Sequence, residues 1–232
     1  MSNKHSRAAM AARHRRNMWL IWGGVAVVVV IAVVTSSGSD SGSSSANGSK
    51  ETAPVKVDGT SLPNYTGTGT DPAIGMTMPT LTGVSFDGKP VEITPNGKPQ
   101  AIVFVAHWCP HCQAEVPRLV ALAKTGTFEG VDVSAVATGT NSGYPNYPPS
   151  SWLQREKWPF PVMVDSATST AAKAYGLTSY PYFVLVDANG KVVGRASGEV
   201  ASADVIANMK ALAAGQPLPL TSSGAASSSS SK

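Results

Sequence analysis

The two cysteines of the chain, Cys109 and Cys112, are separated by two residues and lie between an apolar run and an amphipathic run. Residues 101–105 predict a buried strand, and residues 115–124 predict a helix. This order places both thiols at the N-terminus of a helix, where free N–H groups and the helix dipole stabilise an anion. A thiol in such a position ionises near neutral pH. Because the spacing also lets the two sulfurs close and reopen a small disulfide, the segment predicts a redox site.

The two residues between the cysteines agree with this interpretation. Pro110 suits the first helical position, because the N–H that proline lacks has no partner within a helix there. His111, when protonated, adds a positive charge beside the thiols, which favours the thiolate. We count Pro110 and His111 among the candidate substrate-binding residues.

A zinc site and a structural disulfide are the alternatives for this pair of cysteines. A zinc site needs a second pair of ligands, but the chain has no other cysteine, and His5 and His14 lie in the N-terminal tail. A structural disulfide at this spacing closes a very short loop and therefore stabilises the fold little. Redox chemistry is the favoured interpretation, and no metal ligand is assigned.

The net charge of +4 originates in the N-terminal tail. Five basic residues precede the first acidic residue, Asp40, and the rest of the chain carries 13 basic and 14 acidic residues. The five are Lys4, Arg7, Arg13, Arg15 and Arg16. Because a nucleic-acid-binding domain needs a basic face of its own, this distribution argues against nucleic acid as a partner.

Residues 18–34 form an apolar run without charge. The run predicts a transmembrane helix at the short end of the usual length of about 17–25 residues. Trp19 and Trp22 lie near one end, as aromatic residues do at membrane interfaces, and the preceding basic residues place the N-terminus in the cytoplasm. A cleaved signal peptide is the alternative, although no A-x-A site follows. In both cases the rest of the chain lies outside the cytoplasm, where disulfides persist.

The remaining chain divides by composition. Residues 1–17 form a basic cytoplasmic tail, and residues 35–70 are rich in Ser and Gly, which predicts a flexible linker. Residues 71–216 predict one folded domain. The Ser-rich end, residues 217–232, predicts a disordered tail.

Within the domain, strands are predicted to alternate with helices. Asp87-Gly88 indicates a hairpin within residues 84–93. Further strands are predicted at 101–105, 131–137, 162–164, 182–186 and 192–196. A helix is predicted at 110–124 with a kink at Pro117. Further helices are predicted up to Lys157, capped by Ser150-Ser151, from Ser169 to about Tyr175, and at 202–213, capped by Ser202. This order predicts an α/β sandwich with a mixed sheet.

With these elements the chain resembles the thioredoxin superfamily, and within it the membrane-anchored branch related to TlpA, whose members are thiol–disulfide oxidoreductases. The resemblance covers residues 71–215. It rests on three linked motifs, which are Trp108-Cys109-x-x-Cys112 between strand and helix, Pro117 within that helix, and Tyr180-Pro181 before the last hairpin. The implied fold is thioredoxin-like, with a central mixed sheet flanked by helices.

The resemblance implies a role for each residue of these motifs. Cys109 is the exposed nucleophile, Cys112 is the partly buried resolving thiol, and the two form a disulfide when oxidised. Pro181 forms a cis peptide bond that faces this disulfide, and the backbone of Tyr180 pairs with an extended substrate segment. Trp108 packs beside the sulfurs and shields them.

The resemblance also implies a role for Glu115, because this branch often carries an acidic residue three positions after its second cysteine. In that role Glu115 takes or gives the proton of Cys112. The alternative is a first-turn residue that the helix dipole favours. His107 is expected to be a partly exposed residue rather than a ligand.

Two departures leave the direction of electron flow open. Cytoplasmic thioredoxins carry a buried Asp on the strand before the motif, and the corresponding residue here is Val103. The pair Pro110-His111 resembles the oxidase DsbA, and a positive histidine that stabilises the thiolate makes the disulfide a better oxidant. Relatives of TlpA, in contrast, are mostly reductases. The chain is therefore predicted to exchange disulfides as an oxidase or as a reductase.

Two other activities are the alternatives to disulfide exchange. A thiol peroxidase needs Thr or Ser where this chain has Ala106. A copper-binding module can use thiolate and imidazole ligands, which suit Cu(I), from His107, Cys109, His111 and Cys112. Disulfide exchange itself needs no cofactor. Its expected partners are thiols and disulfides of exported or membrane-bound proteins, together with a membrane redox partner.

Overall fold

The computed structural model describes residues 50–219. Strands and helices alternate through most of this range. The strands are β1 (Lys56–Asp58), β2 (Thr80–Val84), β3 (Pro90–Ile93), β4 (Gln100–Val105), β5 (Asp132–Ala137), β6 (Val162–Val164), β7 (Tyr182–Val186) and β8 (Val192–Ser197). The helices are α1 (Pro110–Ala123), α2 (Pro149–Arg155), α3 (Thr170–Ala174) and α4 (Ser202–Ala213).

The main sheet has five strands in the order β6-β5-β4-β7-β8. Strands β4, β5 and β6 are parallel, whereas β7 and β8 are antiparallel to their neighbours. The predicted mixed sheet is therefore confirmed. Because β7 runs opposite to β4, with Phe104 paired to Tyr182, the end of β4 and the start of β7 lie at one edge of the sheet.

The central strand β4 separates two apolar layers. All six of its residues are buried, as expected for a strand with both faces covered. Successive side chains point to opposite faces, so Ala101 and Val103 pack with the buried residues of α1 and α4. Ile102 and Phe104 pack in a second cluster with residues of β2, β3 and α3. The sheet thus has a helical layer on one face that carries α1 and the thiols.

A second, three-stranded sheet has the order β1-β2-β3. The predicted hairpin at Asp87-Gly88 is confirmed, since Val84 pairs with Pro90 in an antiparallel register. Strand β1 lies inside the segment that the composition assigned to a flexible linker, and Leu62 is buried. The prediction that the linker extends to residue 70 is therefore wrong, because a few apolar residues in a polar segment suffice to pair with β2 and to enter the core.

A buried ion pair attaches this N-terminal segment to the main sheet. The side chain of Arg195 on β8 is fully buried and donates hydrogen bonds to both carboxylate oxygens of Asp71. It also donates to the Pro63 carbonyl at 2.7 Å and to the Tyr182 hydroxyl at 3.0 Å. Burial alone would raise the pKa of Asp71, but the hydrogen bonds from Arg195 and the Ala73 N–H outweigh it and leave that pKa below its usual value.

The helix starts differ from the predicted ones. Ala201 and Pro148 precede α4 and α2 as N-cap residues, and neither makes a side-chain capping bond. The predicted caps at Ser150-Ser151 and at Ser202 are therefore wrong. The backbone N–H of Ser150 bonds instead to a carboxylate oxygen of Glu51 at 3.1 Å, so an acidic side chain from elsewhere in the chain satisfies this helix start.

Within residues 50–219, no helix is long and apolar enough to cross a membrane. The predicted transmembrane helix at residues 18–34 and the basic tail at residues 1–17 lie outside the described residues.

Candidate active site

The two cysteines lie at the junction between the end of β4 and the start of α1. Strand β4 ends at Val105, and Cys109 is the N-cap residue of α1 with extended backbone angles of φ −73° and ψ 122°. Its carbonyl accepts the Gln113 N–H at 3.0 Å, which closes the first helical turn. Pro110 occupies the start of the helix as predicted. Cys109 therefore lies at the positive end of the helix dipole.

The two cysteines are free thiols in different environments. Cys109 is 7% exposed, so the expectation of a well-exposed thiol is wrong. Cys112 is fully buried, and its sulfur accepts the Ala106 N–H at 3.4 Å. Burial raises the pKa of Cys112, and the negative charge of Glu115 adds to this effect. Of the two cysteines, only Cys109 keeps some exposed surface.

The start of β7 faces Cys109. The peptide bond between Tyr180 and Pro181 is cis, as the resemblance implied. The Tyr180 carbonyl lies 3.8 Å from Sγ of Cys109, and the Pro181 carbonyl accepts the Gly198 N–H at 2.8 Å. The backbone beside the sulfur of Cys109 is thus held in place from the β8 side.

Trp108 is fixed between two loops. Its Nε1–H donates to the Gly139 carbonyl at 2.8 Å, and its ring packs edge-on against Tyr180 at 5.7 Å between centroids. Gly139 has a φ of +61°, and a Cβ there would lie 2.8 Å from the Tyr180 hydroxyl. Glycine is therefore favoured at position 139, because another residue would be strained there and its Cβ would press against the Tyr180 hydroxyl.

His107 is buried, so the expectation of a partly exposed side chain is wrong. Its Nε2 accepts the Asn141 N–H at 3.2 Å, and its Nδ1 lies 2.7 Å from the Pro145 carbonyl. Because Nε2 is an acceptor, the proton lies on Nδ1 and is donated to that carbonyl. Both ring nitrogens of His107 are used, so this residue offers no free nitrogen to a copper ion. Among residues 50–219 no group of three or more His, Cys, Asp or Glu side chains is arranged to hold a metal ion.

Glu115 lies in the second turn of α1 and, like Cys112 on the same helix, is fully buried. The alternative of a first-turn residue is therefore wrong. One oxygen, Oε2, is bonded to Arg118 and to the Val200 N–H, the latter at 3.3 Å. The other, Oε1, is buried and has no hydrogen-bond partner among the described residues. Burial raises the pKa of Glu115, and Arg118 offsets part of this rise.

A chain of charged groups connects Glu115 to the surface. Arg118 also lies 3.0 Å from Oε2 of Glu199, and Oε1 of Glu199 lies 2.8 Å from Nδ1 of His111. The bond with His111 lowers the pKa of Glu199. Sequence reasoning missed Arg118 and Glu199. The three-residue spacing of Glu115 and Arg118 was a readable signal, but nothing in the sequence pointed to Glu199.

Comparisons with known proteins identify the family of the chain. A model of the Redoxin family matches residues 72–212. The thiol-disulfide oxidoreductase ResA of Geobacillus thermodenitrificans is 27% identical over 141 residues, which are 60% of this chain and 78% of that protein.

Two solved structures share the fold. A thiol:disulfide interchange protein of the thioredoxin family from Chlorobium tepidum TLS is 28% identical with a TM-score of 0.50, covering 59% of this chain and 95% of that one. An uncharacterized conserved protein from Geobacillus kaustophilus has a TM-score of 0.57 at 23% identity, covering 73% of this chain and 92% of that one. By the matched family model and the mixed sheet with its flanking helices, the chain belongs to the redoxin family, as a TlpA- and ResA-like member of the thioredoxin superfamily.

Proposed function

We propose that Cys109 and Cys112 are the redox pair of this thiol–disulfide oxidoreductase and that its clients are exported proteins. The observation that carries the proposal is the asymmetry of the two thiols. Cys109 lies at the positive end of a helix and faces the Tyr180 carbonyl, whereas Cys112 is fully buried and its pKa is raised. Disulfide exchange between the full-length chain and insulin tests the proposal, and a wild-type chain without such exchange would overturn it.

The reaction proceeds through a mixed disulfide. In the reducing direction the Cys109 thiolate attacks one sulfur of a client disulfide and releases the other as a thiolate. Cys112 then loses its proton and attacks Sγ of Cys109, which releases the second client sulfur and forms the Cys109–Cys112 disulfide. Two electrons pass to the client, and the reverse sequence oxidises a client dithiol.

The client binds along the edge that surrounds Cys109. The Tyr180 backbone next to the cis Pro181 pairs with an extended client segment, in the manner of an added β-strand. Trp108 lies on one side of this segment, and Pro110 and His111 lie on the helix side. Their positions around Cys109 support this assignment.

Glu115 accepts the proton of Cys112 in the resolving step. We expect Glu115→Gln to slow reduction of insulin by the full-length chain about 100-fold, a typical value for one general base. The wild-type rate is expected to rise with pH as Glu115 ionises, at a pH above the ordinary range for glutamate because its pKa is raised. The variant loses this rise. Stopped-flow rates measured from about pH 4 to about pH 9 show both effects.

The matched control is Glu129→Gln, because Glu129 is an exposed glutamate just beyond α1. We expect this control to keep the wild-type rate and pH profile. A Glu115→Gln variant with an unchanged profile would show that Glu115 is not the base.

The reduction potential of the thiol pair determines the direction. A potential of about −120 mV is that of the oxidant DsbA, and one of about −270 mV is that of the reductant thioredoxin. A protonated His111 favours the thiolate and hence the oxidising direction. The carboxylate of Glu199, which lies 2.8 Å from Nδ1 of His111, offsets part of this positive charge. Equilibration of the full-length chain with glutathione buffers measures the potential directly.

The location of the domain is a proposal from the N-terminal sequence. Residues 18–34 anchor the chain in the membrane, residues 1–17 lie in the cytoplasm, and the redoxin domain lies outside with a membrane redox partner. The apolar run and the preceding basic residues support this topology. Because strand β1 and Leu62 belong to the folded domain, the proposed linker is shorter than residues 35–70, and the proposed Ser-rich tail follows the domain.

A membrane-impermeant maleimide added to intact cells is therefore expected to label Cys109 of the reduced full-length chain. The control is Ser6→Cys in a chain that lacks both native cysteines, which should react only after the cells are lysed. Mass spectrometry of the alkylated chain identifies the labelled residue. If the maleimide labels Ser6→Cys in intact cells but does not label Cys109 of the native chain, the proposed topology is reversed.

A further inference from the structure

The loop between β5 and α2 is attached to the two residues that precede Cys109. Three hydrogen bonds join the side chains of His107 and Trp108 to the loop backbone. They end at the Gly139 carbonyl (2.8 Å), the Asn141 N–H (3.2 Å) and the Pro145 carbonyl (2.7 Å). The position of this loop relative to the reactive sulfur is therefore fixed by residues adjacent to that sulfur.

This attachment places Tyr144 over Trp108. The two ring centroids are 5.5 Å apart with an interplanar angle of 40°. Trp108 in turn packs edge-on against Tyr180 at 81°. Tyr144 is 53% exposed, although large aromatic side chains are usually mostly buried. Trp108, Tyr144 and Tyr180 thus form a continuous set of rings beside Cys109, which we call the aromatic platform.

We propose that the aromatic platform binds an aromatic or large aliphatic side chain next to the reactive cysteine of the client, and that Tyr144 determines this preference. The inference rests on the proposed function. Trp108 is the residue before Cys109, and the Tyr180 carbonyl lies 3.8 Å from its sulfur. A client cysteine joined to Cys109 therefore brings its sequence neighbours onto these rings.

The chemistry of the clients agrees with an apolar site. Cysteine is among the most buried residues in folded proteins, so a client cysteine usually packs among apolar core residues, some of which are its neighbours in the chain. These residues are exposed in an exported chain that has not yet folded. The platform offers three uncharged rings to them, and pairs of aromatic rings attract each other beyond their area burial.

Four short peptides test the preference. Each carries one cysteine as a mixed disulfide with glutathione, and they differ only in the residue before that cysteine, which is Phe, Leu, Ser or Lys. Second-order rate constants for their reduction by the full-length dithiol chain are measured by stopped-flow. We expect the Phe and Leu peptides to react faster than the Ser peptide, by about 3- to 10-fold for Phe, as one aromatic contact allows.

The variant Tyr144→Ser is expected to bring the Phe-to-Ser ratio close to one. Tyr144→Phe should keep the ratio, because the ring and not the hydroxyl makes the contact. The matched control is Tyr147→Ser, which removes another exposed tyrosine of the same loop that packs against His107 at 5.9 Å and not against Trp108. This control should also keep the ratio.

The outcomes separate the two proposals. A wild-type chain that reacts with neither the peptides nor glutathione disulfide would overturn the proposed function and this inference with it. A wild-type chain that reacts with all four peptides at one rate, or fastest with the Lys peptide, would overturn the inference alone. The inference would also be overturned if the Tyr144→Ser variant unfolds at the wild-type urea midpoint and still prefers the Phe peptide.

Discussion

The Cys112→Ser variant of the full-length chain is expected to accumulate a mixed disulfide between Cys109 and its client, whereas Cys109→Ser is expected to lose disulfide exchange. Without Cys112 the client cannot be displaced, because the chain contains no other cysteine. Without Cys109 the remaining thiol is fully buried and its pKa is raised. We expect Cys109→Ser to lower the rate of insulin reduction roughly a thousandfold, which corresponds to about 4 kcal/mol in activation free energy.

Non-reducing electrophoresis and mass spectrometry detect the trapped complex. The double variant is the control, since it should trap nothing. Trapping by Cys109→Ser but not by Cys112→Ser would exchange the roles of the two cysteines. Full exchange activity in Cys109→Ser would remove the catalytic assignment altogether.

Replacement of Arg195 by Met is expected to lower the free energy of unfolding by about 3 kcal/mol, because it leaves a largely buried carboxylate without its partner. Asp71, the Pro63 carbonyl and the Tyr182 hydroxyl all lose a hydrogen bond in this variant. Urea unfolding followed by tryptophan fluorescence measures the change. The matched control is Lys56→Met, which removes an exposed ion pair with Asp58 and should leave the free energy nearly unchanged.

The Arg195–Asp71 pair also predicts the sign of a pH dependence. The pKa of Asp71 is lowered in the folded protein, so its contribution to stability is present above its unfolded pKa of about 3.9. The contribution is lost as the pH falls through the lower folded pKa. The difference in the free energy of unfolding between the wild type and Arg195→Met should therefore become smaller as the pH falls. A difference that is small at pH 7, or that grows in acid, would contradict this account.

The parts of the fold that depend on local patterns could be predicted from the sequence. Strand β4 is a continuous apolar run, and the pair of cysteines follows it at the start of a helix. Tyr180-Pro181 lies before the last hairpin, where the family resemblance places its cis-proline, and the cis bond is present. In each case the residues that establish the feature are neighbours in the chain.

The parts that depend on distant contacts could not be predicted in this way. His107 is buried because a loop more than thirty residues later binds both of its ring nitrogens, and the bond of Nδ1 to Pro145 spans 38 positions. Glu199 reaches His111 across 88 positions, and Arg195 reaches Asp71 across 124. Periodicity and turn signals report on neighbours in the chain, so they carry no information about these pairs.

The complete burial of Cys112 has a consequence for how the two thiols respond to oxidants. Because Cys112 is fully buried, we expect hydrogen peroxide to reach Cys109 first and to convert it to a sulfenic acid, while Cys112 remains a thiol. That thiol then condenses with the sulfenic acid, expels water and yields the same disulfide that the normal cycle produces. An oxidative lesion is thereby returned to the working cycle before it becomes an irreversible sulfinic acid.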